Sequence, residues 1–500
     1  MSRRANGADL ARILLSGAAA LALAGCATGV RKPDLALPAA YEAPPGTDAL
    51  SNAALDRWWL IFHDPELDKL ETEALAASPD VESQEARLKE AIATRKSTIW
   101  QTYPQGDITG SGDREHTAPI TKPPGDLFPV GGYSENEAAD FKVTWEFDFL
   151  GALKDERRAA KADFAATRFD IESARASLVA NVADSYFQAR GLAIQIADAE
   201  EQVTIETELL NSATLKAEHG LSSSSDADRI AGDLAAAKSQ VLDLKAQEHA
   251  ARRLLLILVG RGPEPVENLP LTAEVPNPPP LPKAVPGELL QRRPDVREAD
   301  EKMRSATIKT KLAKEQIFPN ITLRPAAGLA RAVAPGVGVL LNPITNAFTF
   351  LPEEQTTATD YWQFGVGFDQ PVLDIPRLLQ DAKAQGARAE QAVVAYEQAV
   401  QNAYGDAENA LVELSADEAR IKILKNGEAR ARRAYDDERT RYEAGLDDVT
   451  SVLSAEQTWR TDRSQLTGEK VQALRRAVQT YKALGGGWDY QPARKARRSP

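Results

Sequence analysis

Two stretches of the chain alternate between apolar and polar residues. In residues 141–149 the odd positions are apolar and the even positions are polar, and residues 362–368 place an aromatic residue or valine at every second position. A period of two puts the apolar side chains on one face of a β-strand. The pattern predicts strands at about 138–149 and about 360–369, and partner strands at about 105–115 and about 321–331. Each pair is expected to be joined by a long loop rich in glycine, proline and asparagine.

Other stretches lack proline and predict long helices. Residues 154–219 contain no proline and a single glycine, so a helix of about 66 residues, about 100 Å long, can form there. The apolar positions make thin, alanine-rich stripes, which suit packing along neighbouring helices better than packing on a thick core. The predicted long helices are about 154–219, about 222–258, about 376–444 and about 447–484.

The order of strands and helices occurs twice along the chain. The tripeptide Pro-Asp-Val at 79–81 recurs at 294–296, and the Gly-Leu pair at 220–221 recurs at 445–446. Repeated anchors in the same order indicate an internal duplication. We therefore expect two copies of one unit, each a strand hairpin that carries a long antiparallel helical hairpin.

The duplication sets the expected domain boundaries. Residues 263–286 contain too many prolines for a helix or a central strand, and they are predicted to form an extended crossover between the copies. The expected parts are a signal peptide at 1–25, a first repeat at 26–262, a proline-rich linker at 263–286, a second repeat at 287–487 and a basic tail at 488–500.

Composition excludes several classes of function. The 500 residues have a net charge of −13, which argues against nucleic acid as a partner. One cysteine and four scattered histidines offer no metal site. Motifs for a nucleophile, a phosphate-binding loop or a metalloprotease do not occur in a convincing context. We therefore expect no catalytic residue, no metal and no enzyme activity.

The N-terminus has the features of an export signal with a lipidation site. Arg3 and Arg4 precede an apolar run that ends in Leu-Ala-Gly-Cys at 23–26. The only cysteine, Cys26, thus lies where a bacterial lipobox requires it, and we expect diacylglycerol and an N-acyl chain on Cys26 and no other cofactor. Ala27, in place of the aspartate that retains lipoproteins at the inner membrane, favours the outer membrane. Acyl chains of this kind can hold a protein at a bilayer.

Four amphipathic strands are too few to close a membrane barrel within one chain. Small barrels need about eight strands, and an open sheet edge is excluded from lipid. Three copies would supply about twelve strands, enough to leave an aqueous lumen. Two hairpins packed on a globular core are the simpler alternative, but helices about 100 Å long disfavour it.

Several motifs resemble those of one protein family. They are WWLIFHDPELDKL at 58–70, LLQRRPDVREAD at 289–300, FPNITL at 318–323 and RYEAGLDDVTSVL at 441–453. Together with the lipobox they resemble the outer-membrane efflux proteins of the TolC superfamily, in the lipoprotein branch similar to OprM and NodT. The resemblance covers nearly the whole mature chain.

The resemblance implies a mainly α fold with a β-barrel part. Family members are homotrimers in which a twelve-stranded outer-membrane β-barrel continues into a periplasmic α-helical barrel. They serve as passive exit ducts of tripartite efflux pumps, with a periplasmic adaptor (membrane fusion) protein and an inner-membrane transporter of the RND type as partners. The chain is thus expected in outer-membrane lipid, anchored by its acyl chains and extending into the periplasm.

The resemblance also directs attention to the far turns of the helical hairpins. Gly220 and Gly445 are expected to end long helices, because glycine tolerates the positive φ of a helix C-terminus. In the family, polar and charged links near the second turn close the periplasmic entrance, and here residues 441–442 match its Arg-Tyr pair. The candidate entrance residues are Arg441, Tyr442, Asp447, Asp448, Asp226 and Asp228.

The sequence allows two interpretations of some of these residues. Asp447 and Asp448 can serve in gating, or they can simply cap the returning helix and favour its N-terminal dipole. Ser454 stands where many family members have an aspartate, so cation selectivity at that layer is undetermined.

Two other classes of protein fit the sequence less well. A periplasmic adaptor or scaffold lipoprotein also uses helical hairpins, but adaptors carry one hairpin flanked by compact β modules. An anchored enzyme lacks a candidate nucleophile, base or metal site. The exported molecule, whether drug, metal or metabolite, does not follow from the sequence.

Overall fold

The structure is a computed structural model, and only part of the chain is described. Cys26, the predicted signal peptide and the tail beyond 489 lie outside the described residues. The described residues are 30–44, 46, 48–49, 52–118, 132–220, 223–283, 286–341 and 348–489.

The chain divides into two compact units. The strand unit comprises Met1–Arg31, Ala93–Asp163 and Arg304–Gln391. The helical unit comprises Lys32–Ile92, Phe164–Met303 and Ala392–Pro500.

Helices dominate the described residues. The four longest have 67, 35, 69 and 35 residues, and their ends lie within a few residues of the predicted ones. None of the described helices is both long and apolar enough to cross a membrane. The helices are α1 Asn52–Asp56, α2 Pro65–Ala77, α3 Pro79–Gln101, α4 Ala152–Glu218, α5 Ser224–Leu258, α6 Pro286–Arg292, α7 Pro294–Glu315, α8 Ile375–Glu443 and α9 Val449–Ala483.

In the described residues the strands form one sheet of four and one minor pair. The four-stranded sheet is antiparallel throughout, in the order β2, β3, β5, β6. The two-residue strands β1 and β4 pair in parallel. The strands are β1 Asp48–Ala49, β2 Gln105–Thr117, β3 Gly132–Glu146, β4 Pro282–Lys283, β5 Asn320–Leu341 and β6 Phe348–Asp369.

The predicted strand ends were wrong at several points. β3 starts at Gly132 and stops at Glu146, and the predicted long loop between the last two strands is largely paired, because the ladder continues to Leu341 and Phe348. Residues 353–359 of β6 are exposed on both faces, so this part of the strand has no hydrophobic alternation to reveal it. Its three threonines nevertheless favour a strand.

The linker at 263–286 is not wholly extended. It contains a 3₁₀ turn at Val266–Asn268 and the strand β4, and its last residue, Pro286, begins helix α6. Proline fits the first position of a helix, because the backbone N–H is unsatisfied there in any case.

Helix α2 shows how the local sequence starts a helix. The side chain of Asp64 accepts hydrogen bonds from the backbone N–H groups of Glu66 and Leu67, and Pro65 occupies the first turn. This is an N-cap with proline at the position where it is tolerated. Asp64 also accepts a hydrogen bond from the hydroxyl of Tyr186, which ties the helix start to α4.

Aromatic residues build the main core of the helical unit. Trp58 stacks on Tyr481 with ring centroids 5.8 Å apart, and Phe62 lies 4.9 Å from Phe187. All four side chains are buried. The N-terminal segment that carries Trp58 is therefore held against α4 and α9 by apolar burial.

Candidate entrance site at the helix turns

The first turn joins α4 to α5. Gly220 has φ +70°, a left-handed conformation that favours glycine. Helix α5 begins after Ser223, whose Oγ accepts a hydrogen bond from the N–H of Ser225 at 3.2 Å. Asp226 lies in the first helical turn and is half-buried, whereas Asp228 is exposed.

The second turn joins α8 to α9. Gly445 has φ +72°, and the N–H of the next residue, Leu446, donates to the carbonyl of Arg441 at 2.9 Å. Asp448 precedes α9, and its Oδ1 accepts a hydrogen bond from the N–H of Thr450 at 3.3 Å. Asp448 is therefore an N-cap, one of the two roles considered from the sequence.

An ion pair connects the two sides of the second turn. Nε of Arg441 lies 3.1 Å from Oδ2 of Asp447. The other carboxylate oxygen accepts the N–H of Asp448 at 3.0 Å. This backbone hydrogen bond, with the charge of Arg441 as a smaller contribution, lowers the pKa of Asp447. Asp447 thus stays ionised, and its partners all lie in its own turn or close to it.

Tyr442 joins the two copies. Its ring is buried, Nζ of Lys216 on α4 lies 3.5 Å from the ring centroid, and its hydroxyl is 3.5 Å from Oγ of Ser212. A cation over an aromatic face is favourable. Tyr442 belongs to an apolar group that we call the tip cluster: Leu209, Ala213, Ile230, Tyr435, Tyr442, Val449, Val452 and Trp459.

The structure brings together only some of the candidate residues. Arg441 and Asp447 form a pair, but neither Asp226 nor Asp228 makes an ion pair within the described part of the chain. The polar link between α5 and α9 is instead Nη2 of Arg229, which donates to Oγ1 of Thr450 at 3.3 Å. Sequence reasoning missed this link, because nothing local pairs residues of different copies.

The tip cluster contains an aromatic pair that the sequence analysis did not identify. Tyr435 and Trp459 stack with ring centroids 5.2 Å apart and nearly parallel planes. Nε1 of Trp459 donates to Oε1 of Glu428 at 2.9 Å. No group of acidic, histidine or cysteine residues suited to a metal ion was found in the described ranges.

Solved structures share this fold. The outer-membrane channel OprN is 24% identical with a TM-score of 0.75, and the match covers 93% of this chain and 100% of that one. The CmeC outer membrane channel of Campylobacter jejuni is 21% identical with a TM-score of 0.76, over 93% and 96% of the two chains. The chain thus has the same fold as these two channel structures.

Sequence comparison identifies the family. The family model "outer membrane efflux protein" matches residues 70–261 and 285–486. This chain therefore belongs to the outer membrane efflux protein family, which confirms the resemblance to the TolC superfamily. It is an outer-membrane efflux protein, and family membership supports a channel, not an enzyme.

Curated relatives span almost the same length. The pyoverdine export outer membrane protein OpmQ of Pseudomonas aeruginosa is 26% identical over 457 residues, which are 88% of this chain and 90% of the relative. The cation efflux system protein CusC of Escherichia coli O6:H1 is 26% identical over 494 residues, with coverage of 95% and 98%.

Proposed function

We propose that three copies of this chain form the passive outer-membrane exit duct of a tripartite efflux pump. The observation that carries the proposal is the four-stranded sheet, which is open at both edges within the described chain and presents exposed aromatic residues. Both features are unfavourable for an isolated chain and are relieved by assembly in a membrane.

The open edges call for further strands. Among the described residues β2 pairs only with β3, and β6 only with β5. Unpaired backbone groups cannot stay in lipid, so the edges must meet those of other copies. Three sheets of four strands give a barrel of about twelve strands, within the range of outer-membrane barrels that hold an aqueous lumen.

One face of β6 is suited to lipid. Trp362, Phe364 and Phe368 are 82%, 63% and 70% exposed and lie at alternate positions of the strand. Gln363 and the glycines between them point to the opposite face. A row of exposed aromatic residues facing one way is a feature of a membrane-facing or partner-facing surface.

The helical unit also leaves apolar side chains uncovered. Leu242 on α5 and Ile423 on α8 are 71% and 70% exposed, and Val394 on α8 is 52% exposed. Large apolar side chains in thin stripes are covered efficiently when helices pack side by side. In the proposed trimer these residues meet the helices of neighbouring copies in a periplasmic α-helical barrel.

We assign the helix turns to the periplasmic entrance, where a periplasmic adaptor and an inner-membrane transporter of the RND type would deliver cargo. The relatives include a pyoverdine exporter and a cation efflux protein, so the proposed cargo class is small molecules in general. Lipid on Cys26 would anchor each copy at the outer membrane. The proposed entrance residues are Arg441, Tyr442, Asp447, Asp448, Asp226 and Asp228.

A matched pair of substitutions tests the barrel. Phe364→Lys places a charge on the face assigned to lipid, and Gln363→Lys places the same charge on the opposite face. A lysine facing lipid costs up to about 2–4 kcal/mol, and the cost is greatest at the middle of the bilayer. We expect Phe364→Lys to reduce insertion into liposomes strongly and Gln363→Lys to insert like the unmodified chain. Equal insertion of the two variants would contradict the assignment of the lipid face.

A further inference from the structure

Two acidic side chains are buried beside the tip cluster. Glu206 on α4 and Glu456 on α9 are each only 2% exposed. Glu456 lies one helical turn from Val452 and from Trp459, so its carboxyl shares the face that packs in the tip cluster. A buried carboxylate is unfavourable unless it is paired and hydrogen-bonded.

One arginine, Arg460, lies close to both carboxyl groups. Nη1 of Arg460 lies 3.4 Å from Oε1 of Glu206, and its Nε lies 3.7 Å from Oε1 of Glu456. Gln202 donates to the same oxygen of Glu206 at 2.8 Å. In the part of the chain that the structure describes, Oε2 of Glu206 and Oε1 of Glu456 accept no hydrogen bond.

The surrounding helices add negative charge, and Arg439 of α8, which contacts Tyr435, is paired with Glu208 and Glu443. Asp233 on α5 acts electrostatically on both glutamates, and Tyr435 faces Glu456 from α8. The next arginine of α9, Arg463, is engaged elsewhere, at 2.6 Å from both Asp198 and Glu201. Two buried carboxyls therefore compete for one positive charge.

A second buried acid pair in the same unit is balanced. Asp417 and Glu469 are 0% and 6% exposed. Asp417 pairs with Arg476, and Oε2 of Glu469 lies 2.7 Å from Nη2 of Arg420. This pair has two arginines for its two buried acids, and Arg476 also contacts the exposed Glu413. Burial raises the pKa of Glu469 as well, so the pair serves as a control for a buried acid outside the tip cluster.

Burial, with smaller contributions from Glu206 and Asp233, raises the pKa of Glu456 to about 7 despite the opposing charge of Arg460. Burial also raises the pKa of Glu206. The folded state consequently binds a proton more tightly than the unfolded state does. The stabilising effect of that proton is fully present below the ordinary glutamate pKa and is lost as the pH rises through about 7.

We propose that Glu206 and Glu456 form a proton-controlled latch between α4 and α9. With one proton the pair shares Arg460 and the two helices pack closely beside the tip cluster. When the proton passes to water, two buried carboxylates repel each other and the packing loosens. This latch goes beyond the proposed export function and does not depend on it.

Hydrogen exchange of the full-length protein tests the latch. Peptides from the first turns of α9 and from residues 200–215 are followed at about pH 6 and about pH 8, with correction for the intrinsic exchange rate. One linked proton with a pKa near 7 predicts that the opening constant rises about tenfold over this interval. Glu456→Gln and Glu206→Gln should each abolish the rise, because a single carboxylate is satisfied by Arg460.

The control variant is Glu469→Gln, which changes the balanced pair and should keep the tenfold rise. An opening constant that does not change with pH in the unmodified chain would overturn the latch, as would a rise that persists in both Glu456→Gln and Glu206→Gln. Exchange is measured whether or not the protein conducts ions, so failure of the latch and failure of the export function give different results.

Discussion

The two helix turns of this chain share a backbone and differ in their contacts. Gly220 and Gly445 have φ values of +70° and +72°, and a Cβ atom at either position would meet nothing within 4 Å. The first turn is capped by a neutral serine, whereas the second is capped by Asp448 and closed by the Arg441–Asp447 ion pair. The two copies share the same turn geometry, but only the second copy has the charged contacts.

The residues behind the turns differ in the same way. Trp459 of the second copy corresponds to Leu234 of the first, at the spacing that separates the two turn glycines. At the same spacing Glu456 corresponds to Ala231, and Glu206 corresponds to Ala431. Aromatic stacking and buried acids therefore arise from divergence between copies, and the two turns can be compared by equivalent substitutions.

The largest difference is expected between Trp459 of the tip cluster and its counterpart Leu234. Trp459→Ala removes a ring stacked on Tyr435 and a hydrogen bond to Glu428, and should destabilise the tip by about 3–5 kcal/mol. Leu234→Ala removes fewer buried atoms and should cost about 2–3 kcal/mol. Local opening measured by hydrogen exchange in α5 and α9 checks both values. Equal losses would mean that the aromatic pair adds no stability beyond an ordinary apolar contact.

Substitution by alanine should have the same effect at both turn glycines. Alanine at a left-handed position costs about 1–2 kcal/mol, and neither site has a neighbour that would clash with the added methyl group. Gly220→Ala and Gly445→Ala are therefore expected to accelerate exchange of their adjoining helix ends to the same extent. A much larger effect at one turn would show that the two backbones are not equivalent.

The caps should differ in chemistry more than in strength. Asp448→Ala removes the acceptor for the N–H of Thr450 and should destabilise the start of α9 by about 1 kcal/mol. Asp448→Asn keeps an oxygen acceptor and serves as the control that restores most of this loss. Ser223→Ala should produce a loss of similar size in α5, again read from amide exchange. No recovery with asparagine would show that charge, and not capping, is what matters at Asp448.

The ion pair should have the smallest effect on stability. The side chain of Arg441 is 58% exposed and that of Asp447 is 27% exposed, and ion pairs that solvent reaches contribute little and are screened by salt. Arg441→Gln should leave the thermal unfolding temperature unchanged and, if the pair restrains the entrance, should increase single-channel conductance. Arg433→Gln changes an exposed arginine of α8 whose Nε donates to the carbonyl of Ala429, and should change neither quantity. Identical conductance in the two variants would exclude Arg441 from entrance closure.

Sequence patterns predicted those features that local chemistry determines. Glycine at 220 and 445 marked the turns because few other residues adopt a positive φ. Alternation at 141–149 marked β3, yet it placed the strand end at 149 instead of Glu146, and residues 353–359 carried no alternation at all. Hydrogen bonding to a neighbouring strand, which defines these limits, has no local pattern in the sequence.

The contacts at the candidate site and at the acid pair beside it depend on the tertiary fold. Arg460 lies four residues after Glu456, a spacing that is visible in the sequence. Its second partner, Glu206, is on another copy of the repeat and was not predictable from any local pattern. The same holds for Lys216 over the ring of Tyr442. Packing of one copy on the other decides which of many possible charged neighbours meet.

The most direct test of the central claim is the state of the full-length protein in the membrane. Mass determination by light scattering in mild detergent, followed by conductance measurement of the same sample in planar bilayers, examines assembly and pore together. The proposed function predicts a trimer that forms ion-conducting pores. A monomer that inserts without conductance would contradict it, because four strands alone cannot enclose a lumen.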